Sequence, residues 1–194
     1  MEAITYPFLY SIISSFLRTS VTLDAITPSQ SIRDGDTLVS AGGRFQMGFF
    51  SPGNSKGRYV GIWYTVSSGT VVWVANRGTP LNDHSGVLKL TDGVVILLNS
   101  TNSIVWSSNN TSRAAENPVL QLLDNGNLVV KDGHVDDPVN FLWQSFDYPC
   151  DTFLPEMKLG RNLVTGLERF VTSWKSADDP AEGEFVGNMN HSIF

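Results

Sequence analysis

An all-β chain with internal pseudo-symmetry is predicted by three observations. An apolar run, a turn and a second apolar run closing on tryptophan recurs three times. The turns between runs carry Asp-Gly and Asn-Gly steps, and from Asp36 to Phe146 no long stretch has helical period. The copies close on Trp73, Trp106 and Trp143, which lie 33 and then 37 residues apart. A period of that size in strand-forming sequence implies equivalent faces that bury their tryptophans together in the core.

Taken in order, Phe45, Met47 and Phe49 alternate with Arg44, Gln46 and Gly48, the pattern of a half-buried strand. Residues 51–57 form a loop by composition, and Val60, Ile62 and Tyr64 alternate on the return, which completes a hairpin. Further strands are predicted at 70–75, 87–90, 94–98, 104–107, 119–123, 128–131 and 141–145. The turns 91–93 and 124–127 supply residues that tolerate positive φ. After Pro149 the pattern changes: 154–160 reads as a connector, isolated strand signal surrounds 170–174, and 177–183 reads as a loop.

The N-terminal run from Tyr6 to Leu17 is mostly apolar and too short to span a bilayer as a helix. It suits the apolar core of a secretory signal peptide, with residues 1–22 removed. Secretion also fits four N-x-S/T sequons, at Asn99, Asn109, Asn110 and Asn190, the first three in predicted turns flanking Trp106. Cys150 is the one cysteine, so it has no intrachain partner, and it reads as a buried thiol.

Thirteen Lys and Arg against 19 Asp and Glu give a net charge of -6, so no basic stripe exists for nucleic acid. The sequence holds no nucleophile elbow, phosphate loop, zinc pattern or kinase signature. His84, His134 and His191 fall in predicted loops, and Asp136-Asp137 and Asp178-Asp179 read as solvated turns. A glycosidase pair such as Asp124 and Asp132 is disfavoured because both are predicted in hairpin turns, with nothing arranged to raise one pKa. The reading is therefore of no enzyme, no metal and no cofactor. What remains is an amide and hydroxyl surface on rigid sheets carrying Trp and Tyr, which suits sugars.

Four segments carry a family resemblance: 123–131 (LDNGNLVVK), 69–77 (GTVVWVANR), 49–53 (FFSPG) and 142–149 (LWQSFDYP). Together they resemble the bulb-type, monocot mannose-binding lectin domain of plant S-locus glycoproteins and G-type lectin S-receptor-like kinases. The resemblance runs over 23–155, and 156–194 resembles the incomplete start of an S-locus glycoprotein-like domain. It implies a β-prism of three four-stranded sheets about a pseudo-threefold axis. It also implies a mannose site of form Q-x-D-x-N-x-V-x-Y. On that motif the Gln position holds Leu123, the Asp position Asn125, Asn127 and Val129 match, and the Tyr position holds Lys131. In the preceding copy Val94, Ile96 and Leu98 occupy the Asn, Val and Tyr positions. The expectation is a secreted or cell-surface recognition module with an eroded sugar site on Asn125, Asn127, Val129 and Lys131. Its partners are mannose-type glycans or, alternatively, a protein or peptide; no membrane span is read in the chain.

Overall fold

The computed structural model describes residues 23–108, 115–133 and 137–187. Twelve strands build the main body: β1 (Ala25–Ile26), β2 (Ser31–Arg33), β3 (Thr37–Val39), β4 (Phe45–Phe50), β5 (Tyr59–Tyr64), β6 (Ser67–Val74), β7 (Val87–Thr91), β8 (Val94–Leu98), β9 (Ile104–Ser107), β10 (Pro118–Leu122), β11 (Leu128–Asp132) and β12 (Trp143–Gln144). They form three four-stranded antiparallel sheets: β3-β4-β5-β6, β2-β7-β8-β9 and β1-β10-β11-β12. Each sheet is a local three-stranded meander completed by one short N-terminal strand. Alternation decides which residues face inward. Met47 and Ile62, Leu88 and Leu97, Leu120 and Val130 sit in one buried cluster shared by all three sheets.

At the end of that core the three closing tryptophans meet edge to face. Trp73–Trp106, Trp73–Trp143 and Trp106–Trp143 have ring centroids 6.0, 5.9 and 6.1 Å apart, with interplanar angles of 76°, 66° and 74°. Near-equal distances and angles are the signature of pseudo-threefold symmetry, and the tilted geometry is what the aromatic quadrupole favours. Burial of one such ring contributes on the order of 4–6 kcal/mol before the cost of ordering it.

Strands β1, β2 and β3 are only two or three residues long and carry too little pattern to be predicted. Predicted strand 141–145 shortens to β12 because the chain curls into a 3₁₀ turn at Ser145–Asp147, where Tyr148 N–H donates to the Ser145 carbonyl at 2.9 Å. The tail adds two hairpins, β13 (Gly160–Arg161) with β14 (Glu168–Arg169) and β15 (Val171–Ser176) with β16 (Asp179–Gly187). Here the predicted loop 177–183 is corrected: only the reversal at Ala177 and Asp178 is turn, and 179–183 belong to β16. Pairing with β15 overrides the polar, Pro- and Gly-containing composition, and a register shift between Trp174 and Ser176 skips the position where Pro180 has no N–H to offer.

Candidate functional site

The pseudo-symmetry can be read residue by residue from the strand registers. The backbone N–H groups of Val60, Val95 and Leu128 donate to buried side-chain oxygens of Asn76 (2.9 Å), Ser108 (3.1 Å) and Ser145 (2.9 Å). These three acceptors follow the three closing tryptophans, so Tyr59, Val94 and Asn127 are equivalent positions. Gly61, Ile96 and Val129 form the next set, and Trp63, Leu98 and Lys131 the last. By strand alternation they lie opposite Val60 and Ile62, Val95 and Leu97, and Leu128 and Val130, although Tyr59 is itself buried within the shared core cluster.

In the third sheet the motif strand is launched by a tight turn. Gly126 N–H donates to the Leu123 carbonyl at 3.0 Å and Leu123 N–H to the Asn127 carbonyl at 2.9 Å. Gly126 has φ +87°, and a Cβ there would lie 2.9 Å from the side chains of Leu154 and Phe45, so only glycine fits. Asn125 Oδ1 accepts the Asn127 N–H at 3.0 Å while its Nδ2 donates to Glu156 at 2.7 Å. The structure thus brings Asn125 and Asn127 together, with Val129 and Lys131 farther along the same outer face.

That face is not open. Asn127, Val129 and Lys131 are 4 %, 0 % and 5 % exposed. Asn127 Nδ2 donates to Gln144 Oε1 at 2.9 Å, and its Oδ1 accepts from Ser145 Oγ and the Phe146 N–H, both at 3.2 Å. The side chain therefore pins the 3₁₀ turn that follows β12. Beside it lies a cleft of about 410 Å³, bordered by Leu123, Asn127, Phe141 and Gln144 of the prism and by Lys158 and Asn162 of the tail. Asp147, on its wall, pairs with the buried Arg169 of β14 at 2.6 Å. Sequence reading missed Gln144, Glu156 and Arg169; only the place of Gln144 directly after a closing tryptophan, as with Val74 and Ser107, marks a recurrent position.

The other two faces differ in kind. In the first sheet Phe50 lies over Gly61, where a Cβ would meet the ring at 2.5 Å. Trp63 Nε1 donates to Gln46 at 3.1 Å, and the tail's Trp174 approaches Phe50 with centroids 6.5 Å apart. Aromatic side chains of the protein itself fill that face. In the second sheet Val94, Ile96 and Leu98 face Thr91, Lys89 and Val87 across β7, an apolar set with one cation, as the sequence implied.

The remaining candidate groups do structural work. His84 is 76 % exposed, and its Nδ1 lies 2.7 Å from Asp34, which also takes a hydrogen bond from Arg58 Nε at 2.9 Å. Burial works to raise the Asp34 pKa, but the hydrogen bonds and charges of Arg58 and His84 prevail and hold it below the usual carboxylate value. Asp132 ends β11 rather than lying in a turn, and accepts the N–H groups of Glu116 and Asn117 at 3.3 and 2.8 Å. Asp137 caps the short 3₁₀ helix Pro138–Asn140. Asp178, in its turn, receives the Asn54 N–H at 2.9 Å, whereas Asp179 begins β16. Cys150 is buried as predicted, its Sγ receiving the Val74 N–H at 3.2 Å. Burial pushes its pKa up to about 11. Among the described residues no group of His, Cys, Asp or Glu is placed to hold a metal ion, and no helix is long and apolar enough to cross a membrane. Asn109, Asn110, Asn190, His134, Asp136 and His191 lie outside the described residues.

A family model described as D-mannose binding lectin matches residues 70–175. The S-locus-specific glycoprotein S6 of Brassica oleracea is 50 % identical over 161 residues, covering 82 % of this chain and 37 % of that protein. Receptor-like serine/threonine-protein kinase SD1-8 of Arabidopsis thaliana is 45 % identical over 182 residues, covering 92 % of this chain and 21 % of that protein. The chain thus spans well under half the length of either relative. Among solved structures, a Marasmius oreades lectin aligns with TM-score 0.47 and 18 % identity over 63 % of this chain and 90 % of its own. Three tryptophan-closed sheets, a family model over more than half the chain and relatives near one-half identity lead to one assignment: the chain belongs to the D-mannose binding, bulb-type lectin family, alongside S-locus glycoproteins and S-receptor-like kinases.

Proposed function

We propose that this chain is an extracellular recognition module in which the mannose motif has become part of the scaffold, and that its partner is a protein or peptide. The observation that carries this reading is Asn127. Both ends of its amide are held by Gln144, Ser145 and Phe146, and the strand face it heads is buried. A sugar hydroxyl would have to displace those bonds, leaving the buried Phe146 N–H and the side chains of Gln144 and Ser145 without these partners. Leu123 and Lys131 replace the amide and phenol that a hexose would need at the two ends of the motif. Residues 1–22 act as a cleaved leader, and 156–194 open a further S-locus-type domain.

The test is calorimetry and glycan-array binding of the full chain secreted from plant cells, with mannose as competitor. No mannose-competed binding is expected. A triple variant, Leu123→Gln, Asn125→Asp and Lys131→Tyr, restores the motif on paper and is expected to gain no mannose binding, because the face remains covered. Saturable binding to the parent chain that mannose abolishes would overturn the reading. Asn127→Ala is expected to lower stability by about 1–3 kcal/mol, the effect of removing a buried hydrogen-bonding group.

A further inference from the structure

We propose that the cavity at the tryptophan end of the prism receives a lysine or arginine side chain of the partner; this rests on the protein-partner reading above and gives it a chemistry. The cavity encloses about 270 Å³ between the three closing tryptophans and the tail. That is below the ~300–1,000 Å³ usual for a drug-sized ligand, and it suits one long side chain. Trp73, Trp106 and Trp143 line it from the prism, with Tyr148 and Phe170 beside them. Tyr148 and Phe170 are 47 % and 40 % exposed, so ring surface stays open to an incoming group.

The charges on the wall select the ligand. Asp147, Glu168 and Glu182 are its carboxylates and Arg77 is its cation. The Arg77 guanidinium is engaged by four oxygens of β15 and β16, belonging to Thr172, Ser173 and Pro180. Asp147 is paired with Arg169 at 2.6 Å. Glu168 meets Arg161 only at 3.9 Å, with both side chains largely in solvent, and Glu182 makes no ion pair among the described residues. Two carboxylates are therefore left to answer a ligand, beside electron-rich ring faces that attract an organic cation. An acidic segment would be repelled, and a neutral aliphatic chain would desolvate the carboxylates with nothing in return.

Trp143 favours a cation carried on a peptide. Trp73 Nε1 donates to the Tyr148 carbonyl at 2.9 Å. Trp143 lines the cavity and is 5 % exposed, yet its Nε1–H donates to none of the described residues. A buried N–H of this kind calls for an acceptor. A peptide backbone brings a carbonyl along with the cationic side chain, whereas a metal ion or a free amine brings none.

The experiment titrates the full chain with short capped glycine peptides whose central residue is arginine, lysine, the neutral isostere citrulline or glutamate. Tryptophan fluorescence and the indole N–H signals in NMR report binding, with the Trp143 signal assigned from Trp143→Phe. The arginine and lysine peptides are expected to bind about ten-fold tighter than the other two and to shift the Trp143 signal. Glu182→Gln, Glu168→Gln and Phe170→Leu should each weaken them several-fold. Glu184→Gln makes the same charge change on β16 outside the cavity and should leave binding unaltered. Citrulline binding as well as arginine, equal weakening by Glu184→Gln, or no binding of any peptide at millimolar concentration overturns the proposal. So does displacement of the peptides by mannose, which would make this a sugar pocket. The protein-partner reading fails separately, through mannose-competed glycan binding that Glu182→Gln and Phe170→Leu leave intact while the cationic peptides still bind.

Discussion

Arg77 Nη1 donates to Thr172 Oγ1 at 2.8 Å across 95 residues of sequence. The same guanidinium reaches the carbonyls of Pro180 (2.7 Å), Ser173 (3.1 Å) and Thr172 (3.3 Å), so a single planar fork from the end of the first sheet holds both strands of the last hairpin.

An ammonium cannot reproduce that fork, since Lys offers a compact charge on a flexible stem. Arg77→Lys is expected to loosen the tail by roughly 2 kcal/mol, on the scale of lost hydrogen bonds to a charged group. Limited proteolysis checks this: cleavage within 160–187 should accelerate while the far-ultraviolet spectrum of the prism is retained.

The three closing tryptophans look alike in the core but are not energetically equal. Trp73 Nε1 donates to the Tyr148 carbonyl at 2.9 Å, whereas Trp143 stacks on the Tyr148 ring with centroids 6.0 Å apart and planes 15° from parallel. Trp73→Phe should therefore cost about 1 kcal/mol more than Trp143→Phe, because it leaves an acceptor unsatisfied as well as a smaller ring. Urea denaturation of the two variants side by side measures the difference.

The tryptophans were also the part of the fold most legible in the sequence, because spacing and apolar runs are local. Asn127 shows the opposite case. Its turn could be read from Asn125, Gly126 and the following apolar run, but its bonding to Ser145 and Phe146, 18 and 19 residues on, depends on a third-strand pairing that periodicity cannot express. Strands β1 to β3 escaped because two or three residues carry too little pattern to stand out from loop. Residues 179–183 escaped because their polar composition is outvoted by pairing with β15.

Acid should reveal Asp34. Its pKa is lowered in the folded chain, so the stability it contributes is present above the unfolded carboxylate value of about 4 and is lost as pH falls below it. Asp34→Asn is expected to melt at lower temperature at pH 7 and to show a flatter acid limb than the parent. Parallel limbs for the two proteins in a Tm-against-pH series would contradict the assignment.

Base should reveal Cys150. With its folded pKa at about 11, the thiol keeps its proton in the fold after it would have ionised in the unfolded chain, so its contribution is full below about pH 8.5 and is lost as pH rises through 11. The native protein should resist thiol reagents at pH 8 and react fully in denaturant. Cys150→Ala should remove part of the alkaline loss of Tm.

The three short N-terminal strands are nested. β3 pairs with β4, its immediate neighbour, Ile32 of β2 with Leu88, and Ile26 of β1 with Leu120. On a ribosome the sheets must therefore close in a set sequence as the chain emerges, the first early and the third only after β12 is free of the tunnel. The earliest-made strand is the last to find its place. Such distant closures slow folding, and until then Leu120 and its neighbours depend on whatever binds nascent apolar surface.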